Sequence, residues 1–274
     1  MDKIATLAIY ELRASVRNRW FVLYTLTFTL LASGLSYLSL SGAGLFGFAG
    51  FGRTAASLIN LVLLIVPLMG LTVGAMSVAG EREQSTLSYL LAQPIGRGEV
   101  LLGKFLGLGL ALATTLLLGF GLAGILIARQ SSTVEADRYL ALAGISLLLA
   151  LASLSLGLVI SVASRRGSLA VGVGLFVWLL LVFLADLGLM GTAVAMRLDV
   201  GALLTLALLN PLQVFKIAAV QALQASLEVL GPAGLYATRT FGEGLMPLLL
   251  GVLLLWVWVP LGVAHLIFVR EGDV

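Results

Sequence analysis

Six uncharged apolar runs, each long enough to cross a hydrocarbon core, leave this chain little choice of fold. A core about 30 Å thick needs about 20 mainly apolar helical residues. Runs of that kind occupy Trp20 to Leu40, Thr54 to Ala79, Phe105 to Ala128, Tyr139 to Ser164, Gly167 to Ala185 and Gly244 to Val269. The fifth extends past Asp186 to about position 188, and the last contains the one histidine. Backbone groups in lipid must pair within their own segment, and no run alternates as a barrel strand does, so each reads as a helix. The expected fold is an all-α polytopic membrane protein, one domain over residues 1–274, with six spans. At 60% apolar and 11% charged residues the chain has no stretch polar enough to build a water-facing globule.

Lysine and arginine set the expected orientation. An even number of spans puts both termini on one side. That side holds Lys3, Arg13, Arg17, Arg19, Arg82, Arg97, Lys104, Arg165, Arg166 and Arg270, against six basic residues in the longer loops opposite. The first set is therefore expected to be cytoplasmic. The polar first 19 residues lack the apolar core of a cleaved signal, so the first span is expected to direct its own insertion.

The segments between spans carry further expectations. Ile4, Ala8, Leu12 and Val16 recur every fourth residue, with Lys3, Arg13 and Arg17 elsewhere, the pattern of an amphipathic helix at the cytoplasmic interface. An elbow at Asn18 leads it into the first span. On the outer side, Val200 to Leu209 is apolar but too short to cross, so it reads as re-entrant or interfacial. Asn210 caps a helix that has Pro211 in its first position and runs to about Leu230, before Gly231-Pro232. Gln213, Lys216, Gln224 and Glu228 share one face of it, with Phe215 off that face, so it is expected flat on the outer surface or against a partner.

Sites for catalysis or metals do not emerge. Gly98 to Lys104 has the spacing of a phosphate loop, but Phe105 replaces the magnesium-ligating hydroxyl and no strand precedes it. Gly42-Ala-Gly44-Leu-Phe-Gly47 and Gly119-Phe-Gly121-Leu-Ala-Gly124 match a dinucleotide fingerprint in an outer loop and within a span. In a chain with 32 glycines, such matches arise by chance. Small pairs four apart, Gly70 with Gly74 and Gly103 with Gly107, instead suit close helix crossings. There is no cysteine, and one histidine, His265, cannot assemble a metal site. Met69 and Met76 share a helix face and read as packing. Asp186, beside the outer end of the fifth span, either reaches water there or serves a gate or partner. With no acid or lysine at depth in the other spans and no nucleotide site, energy for any work is expected from another subunit.

That directs attention to Val78 to Lys104, the charged segment between spans two and three. A short helix starting at Ser85 or Thr86 puts Leu87, Leu90 and Leu91 on one stripe, and Pro94 with Gly96 ends it. Glu81, Arg82 and Glu83 stand near its start and Arg97 follows it. Docked in a groove of a cytoplasmic partner, this helix transmits the partner's motion to the flanking spans. Alternatively its leucines rest on the lipid surface.

At these residues the chain resembles the permease subunits of type-2 ABC transporters. Glu81, Glu83, Thr86-Leu87, Leu90-Leu91, Pro94, Arg97 and Gly103-Lys104 follow the order of that family's loop between spans two and three. The glycine often found before the threonine is Ser85 here. Within the family, the likeness is to permeases associated with nitrous oxide reductase maturation. It rests on Arg17-Asn-Arg-Trp20, Pro94-Ile-Gly-Arg-Gly98, Leu101-Leu-Gly-Lys104, Phe183-Leu-Ala-Asp186 and Leu209-Asn-Pro211. The resemblance implies a homodimer in a bacterial inner membrane, two copies of a separate cytoplasmic ATPase that binds ATP and Mg, and a periplasmic repeat-fold protein. It also implies service in assembling a copper-sulfur centre, with no cofactor in this subunit and no nucleic acid among its partners. On that reading Glu81, Arg82, Glu83, Thr86, Leu87, Leu90, Leu91, Pro94 and Arg97 couple to the ATPase. Asp186, Asn210, Phe215 and Lys216 become candidates for an outer gate or partner contact. An ion-gradient-driven carrier, or an exporter of another substrate, is the alternative.

Overall fold

The computed structural model describes residues 2–43, 50–128, 136–184, 200–223 and 241–270. Regular structure among them is helical throughout: α1 Asp2–Arg17, α2 Arg19–Ala43, α3 Gly50–Glu83, α4 Thr86–Leu91, α5 Arg97–Ala128, α6 Ala136–Ala163, α7 Gly167–Phe183, α8 Val200–Leu208, α9 Pro211–Ala222 and α10 Leu245–Arg270, the last entered through a 3-10 turn at Gly242–Gly244. Five of these, α2, α3, α5, α6 and α10, are long and apolar enough to cross a membrane. Where the sequence predicts the fifth span, α7 has 17 residues, about 26 Å of helix, and Asp186 lies outside the described residues. Two of the spans outrun their apolar cores. α3 continues through Glu83, and α5 begins at Arg97, well before Phe105, so Gly98 to Lys104 is helical rather than a phosphate loop.

Lipid offers apolar helices no hydrophobic reason to associate, so the bundle depends on close packing. The α3–α6 crossing places Gly74 and Gly157 backbone to backbone. A Cβ on Gly74 would lie 2.7 Å from the Leu154 carbonyl, and one on Gly157 2.6 Å from that of Leu71. The second glycine pair seats α1 on α5: Gly103 lies under Leu7, and a Cβ on Gly107 would meet the Ala8 carbonyl at 2.5 Å. Further along, the Phe28 ring of α2 packs on Phe120 of α5, which meets Tyr139 of α6 edge-on. Ser161 of α6 accepts both the Val78 and Ala79 backbone N–H groups of α3, at 2.8 and 2.9 Å.

The break between α1 and α2 falls at Asn18, whose Oδ1 accepts the Trp20 N–H at 2.9 Å. On α1 the face turned inward carries Leu7, Ala8, Glu11 and Ser15, whereas Val16 is exposed. The four-residue stripe therefore holds at Ala8 and fails at Val16, because a charged residue, Glu11, occupies the inner face.

α9 begins as its sequence predicts. Asn210, extended at φ −118°, accepts the Leu212 N–H at 3.0 Å, with Pro211 in the first turn. Its position is different from the expectation of a surface helix. Pro211 to Phe215 and Ile217 to Ala219 are buried, Gln213 included, and the helix packs against α6 and α10. Its described part carries one charge, Lys216, which leaves too little polarity to hold it at a surface. The preceding turn is pinned on both sides. Asn210 Nδ2 donates to the Leu181 carbonyl of α7 at 2.8 Å, and Trp256 Nε1 of α10 donates to the Leu208 carbonyl at 3.3 Å. Leu181 and Trp256 each stand about 21 Å along their helices from Gly167 and Arg270, so the turn lies well inside the length of α10.

Candidate functional site

The basic ends of the helices meet at the end of α3, and three consecutive side chains there reach three different neighbours. Glu81 Oε1 lies 2.6 Å from Lys104 Nζ of α5. Arg82 Nη1 donates to the carbonyls of Val162 and Ser164 at 3.1 and 2.8 Å, covering the end of α6. Glu83 Oε2 accepts the Gly167 N–H at 2.8 Å, covering the start of α7. The charges have the right signs for this: a cation meets the carbonyl-rich C-terminus of one helix and an anion the N–H-rich N-terminus of the next. Arg97 repeats the device at α10, donating to the Phe268 carbonyl at 3.0 Å with its guanidinium 5.8 Å from the Phe268 ring centroid. His265 of α10 borders Gly98 at the start of α5.

Lys104 is the buried centre of this clasp. Its side chain is 1% exposed, and Nζ lies 2.5 Å from Glu11 Oε1 of α1 as well as 2.6 Å from Glu81. The Ser77 carbonyl is 3.5 Å away. An ammonium this deep requires charged partners, since an unpaired one costs several kcal/mol. The other end of α1 is held too: Lys3 Nζ donates to the Pro94 carbonyl at 2.5 Å, just beyond α4. Nothing local in the sequence pairs Lys104 with Glu11, which lies 93 residues away. The available signal was an acid on the apolar face of α1 and a lysine at the mouth of an apolar run.

α4 is the six-residue helix expected there, starting at Thr86 and ending before Pro94. Ser85 precedes it with φ 60° and ψ 9°, the left-handed region. Thr86 Oγ1 donates to the Glu81 carbonyl at 3.1 Å, and Ser88 Oγ to that of Ser85 at 2.6 Å. The leucine stripe faces the bundle: Leu87 is buried, and Leu90 and Leu91 pack against the same core. The face left open consists of Ser85, Thr86, Ser88, Ala92, Gln93 and Pro94 around Tyr89, which is 77% exposed.

The structure does not bring Asn210, Phe215 or Lys216 to this end. Asn210 and Phe215 are buried beside α7, α6 and α10, and Lys216 is half-buried on α9.

The described helices thus gather the ends of several spans around a short helix that follows α3. The chain matches the family described as ABC-2 family transporter protein over residues 5–272, and it belongs to that family. It is similar to the probable ABC transporter permease protein NosY of Stutzerimonas stutzeri, with 34% identity over 99% of both chains. It is also similar to the protein of the same name from Pseudomonas aeruginosa, with 38% identity over 79% of this chain and 81% of that one.

Proposed function

We propose that this chain is the permease of an ATP-driven transporter in a bacterial inner membrane, with both termini and the clasp in the cytoplasm. α7, continued through Asp186, completes six spans, and the turn between α8 and α9 is re-entrant. A homodimer of the chain binds two copies of a separate ATPase, which holds ATP and Mg and pushes on α4. The observation that carries this reading is the clasp: α4 leaves the end of α3, from which side chains reach α5, α6 and α7 together. A push there is delivered to several spans at once. The open face around Tyr89 docks the ATPase, and Leu87, Leu90 and Leu91 hold the helix to the bundle.

On the far side, Asn210 and Phe215, being buried, suit a gate, and Asp186 and Lys216 suit contact with a periplasmic repeat protein. The similarity to NosY permeases supports service in maturing the copper-sulfur centre of nitrous oxide reductase. The chain passes a sulfur-containing species or relays motion to its periplasmic partner.

Copurification from the native host tests this. An ATPase should accompany the chain, and Tyr89→Ala should weaken its retention without unfolding the permease. Glu81→Lys should keep the ATPase but lower vanadate-sensitive transport or coupled hydrolysis by about tenfold or more, the effect of roughly 1.4 kcal/mol at the coupling step. Transport by the purified chain alone, driven by an ion gradient and indifferent to vanadate, would overturn the proposal.

A further inference from the structure

We infer that Lys104 is a positioning residue that locks α1 to the α3–α4 corner, so that α1 and α4 move as one rigid body; the coupling role this gives them rests on the function proposed above. α1 already seats on α5 through Leu7 over Gly103 and Ala8 over Gly107. Apolar contacts of that kind resist separation but let a helix slide or roll. The charged contacts fix what packing leaves free.

Glu11 meets Lys104, which also meets Glu81, the residue four before Ser85 and bonded through its carbonyl to Thr86 at the start of α4. Lys3 meets Pro94, just past the end of α4. These two pins stand about 12 Å apart along α1. One pin would leave a pivot; two fix both position and direction. Replacing buried ion pairs by apolar residues is often neutral or stabilising, so the pairs found here suit register better than stability. Two residues that Lys104 contacts each keep a buried atom without a hydrogen-bond partner, Glu81 at Oε2 and Ser77 at Oγ, which fits a site built for geometry.

The chain has no cysteine, so spin labels at Ala14→Cys on α1 and Ala92→Cys after α4, both exposed, report one distance without background. Labelled chains are diluted into unlabelled ones in lipid nanodiscs. The measurement is made on the permease alone, then on its nucleotide-free and ATP–vanadate complexes. The expected result is one narrow distance distribution that nucleotide leaves in place, and loss of that narrow distribution in Lys104→Met. A shift with nucleotide in the otherwise native chain overturns the inference. So does Lys104→Met with a lowered unfolding temperature and an unchanged distribution, the signature of a lysine that is only structural. Should Lys104→Met not fold, Glu11→Gln and Lys3→Ala each remove one pin and are expected to broaden the distribution; a narrow one in both overturns it. If no ATPase copurifies, the proposed function fails, and the permease alone still decides whether α1 is pinned.

Discussion

Ser85 holds a backbone conformation that disfavours any residue with a Cβ, and it does so on an exposed turn where nothing in its side chain repays the cost. Its hydroxyl makes no capping bond to α4. A non-glycine residue in the left-handed region costs about 1–2 kcal/mol. Glycine removes that cost but loses more freedom on folding, so the net gain is smaller. Ser85→Gly is therefore expected to raise stability by up to about 1 kcal/mol, seen as a higher unfolding temperature in detergent. An unchanged or lower temperature would count against strain at this turn. A glycine would take this backbone conformation without the steric cost that serine meets here.

At the scale of the element, α9 shows what a sequence does and does not disclose. Its start is local chemistry: an asparagine that accepts the Leu212 N–H, followed by a proline that needs no donor partner. Removing that cap and the bond to Leu181 together is expected to cost about 2 kcal/mol in Asn210→Ala, and to loosen α8 and α9 from α7. Hydrogen exchange should show faster exchange at Leu212 to Val214 with little change in α1; exchange equal to the parent would refute the seating described here.

The Asn-Pro start, the paired glycines and the breaker after α4 could all be read because each rests on near neighbours in the chain. The burial of α9 could not, since Gln213 and Lys216 look like a wet face until the neighbours on both sides are known. For the same reason Glu81, Arg82 and Glu83 were legible as an important charged cluster, but their partners were not. Arg82 serves the end of α6, Glu83 the start of α7 and Glu81 a lysine 23 residues on. On α1 the expected stripe fails at Val16, and the inner face instead holds Glu11, which turns to a cation that lies far along the chain.

For the whole molecule, the decisive quantity is which way the basic end faces. Basic residues on that side outnumber the opposite set ten to six in shorter loops, which favours a cytoplasmic clasp. Ser88 is exposed on α4, and Ser88→Cys would be the only thiol in the chain. A membrane-impermeant maleimide is expected to label it in inverted vesicles and to leave it untouched in intact spheroplasts. Labelling in the reverse sense would put α4 out of reach of any cytoplasmic motor.

The glycine crossing of α3 and α6 has a mechanical corollary. Gly74 lies about 14 Å from the Glu83 tip of α3, whereas on the other side the membrane-crossing part of the rod ends at Ala56, about 27 Å away and six residues short of the helix start at Gly50. With the tight glycine contact as fulcrum, a small tilt imposed at the short arm sweeps the opposite end about twice as far. Pro67 sits on the long arm, where a bend would divide that sweep.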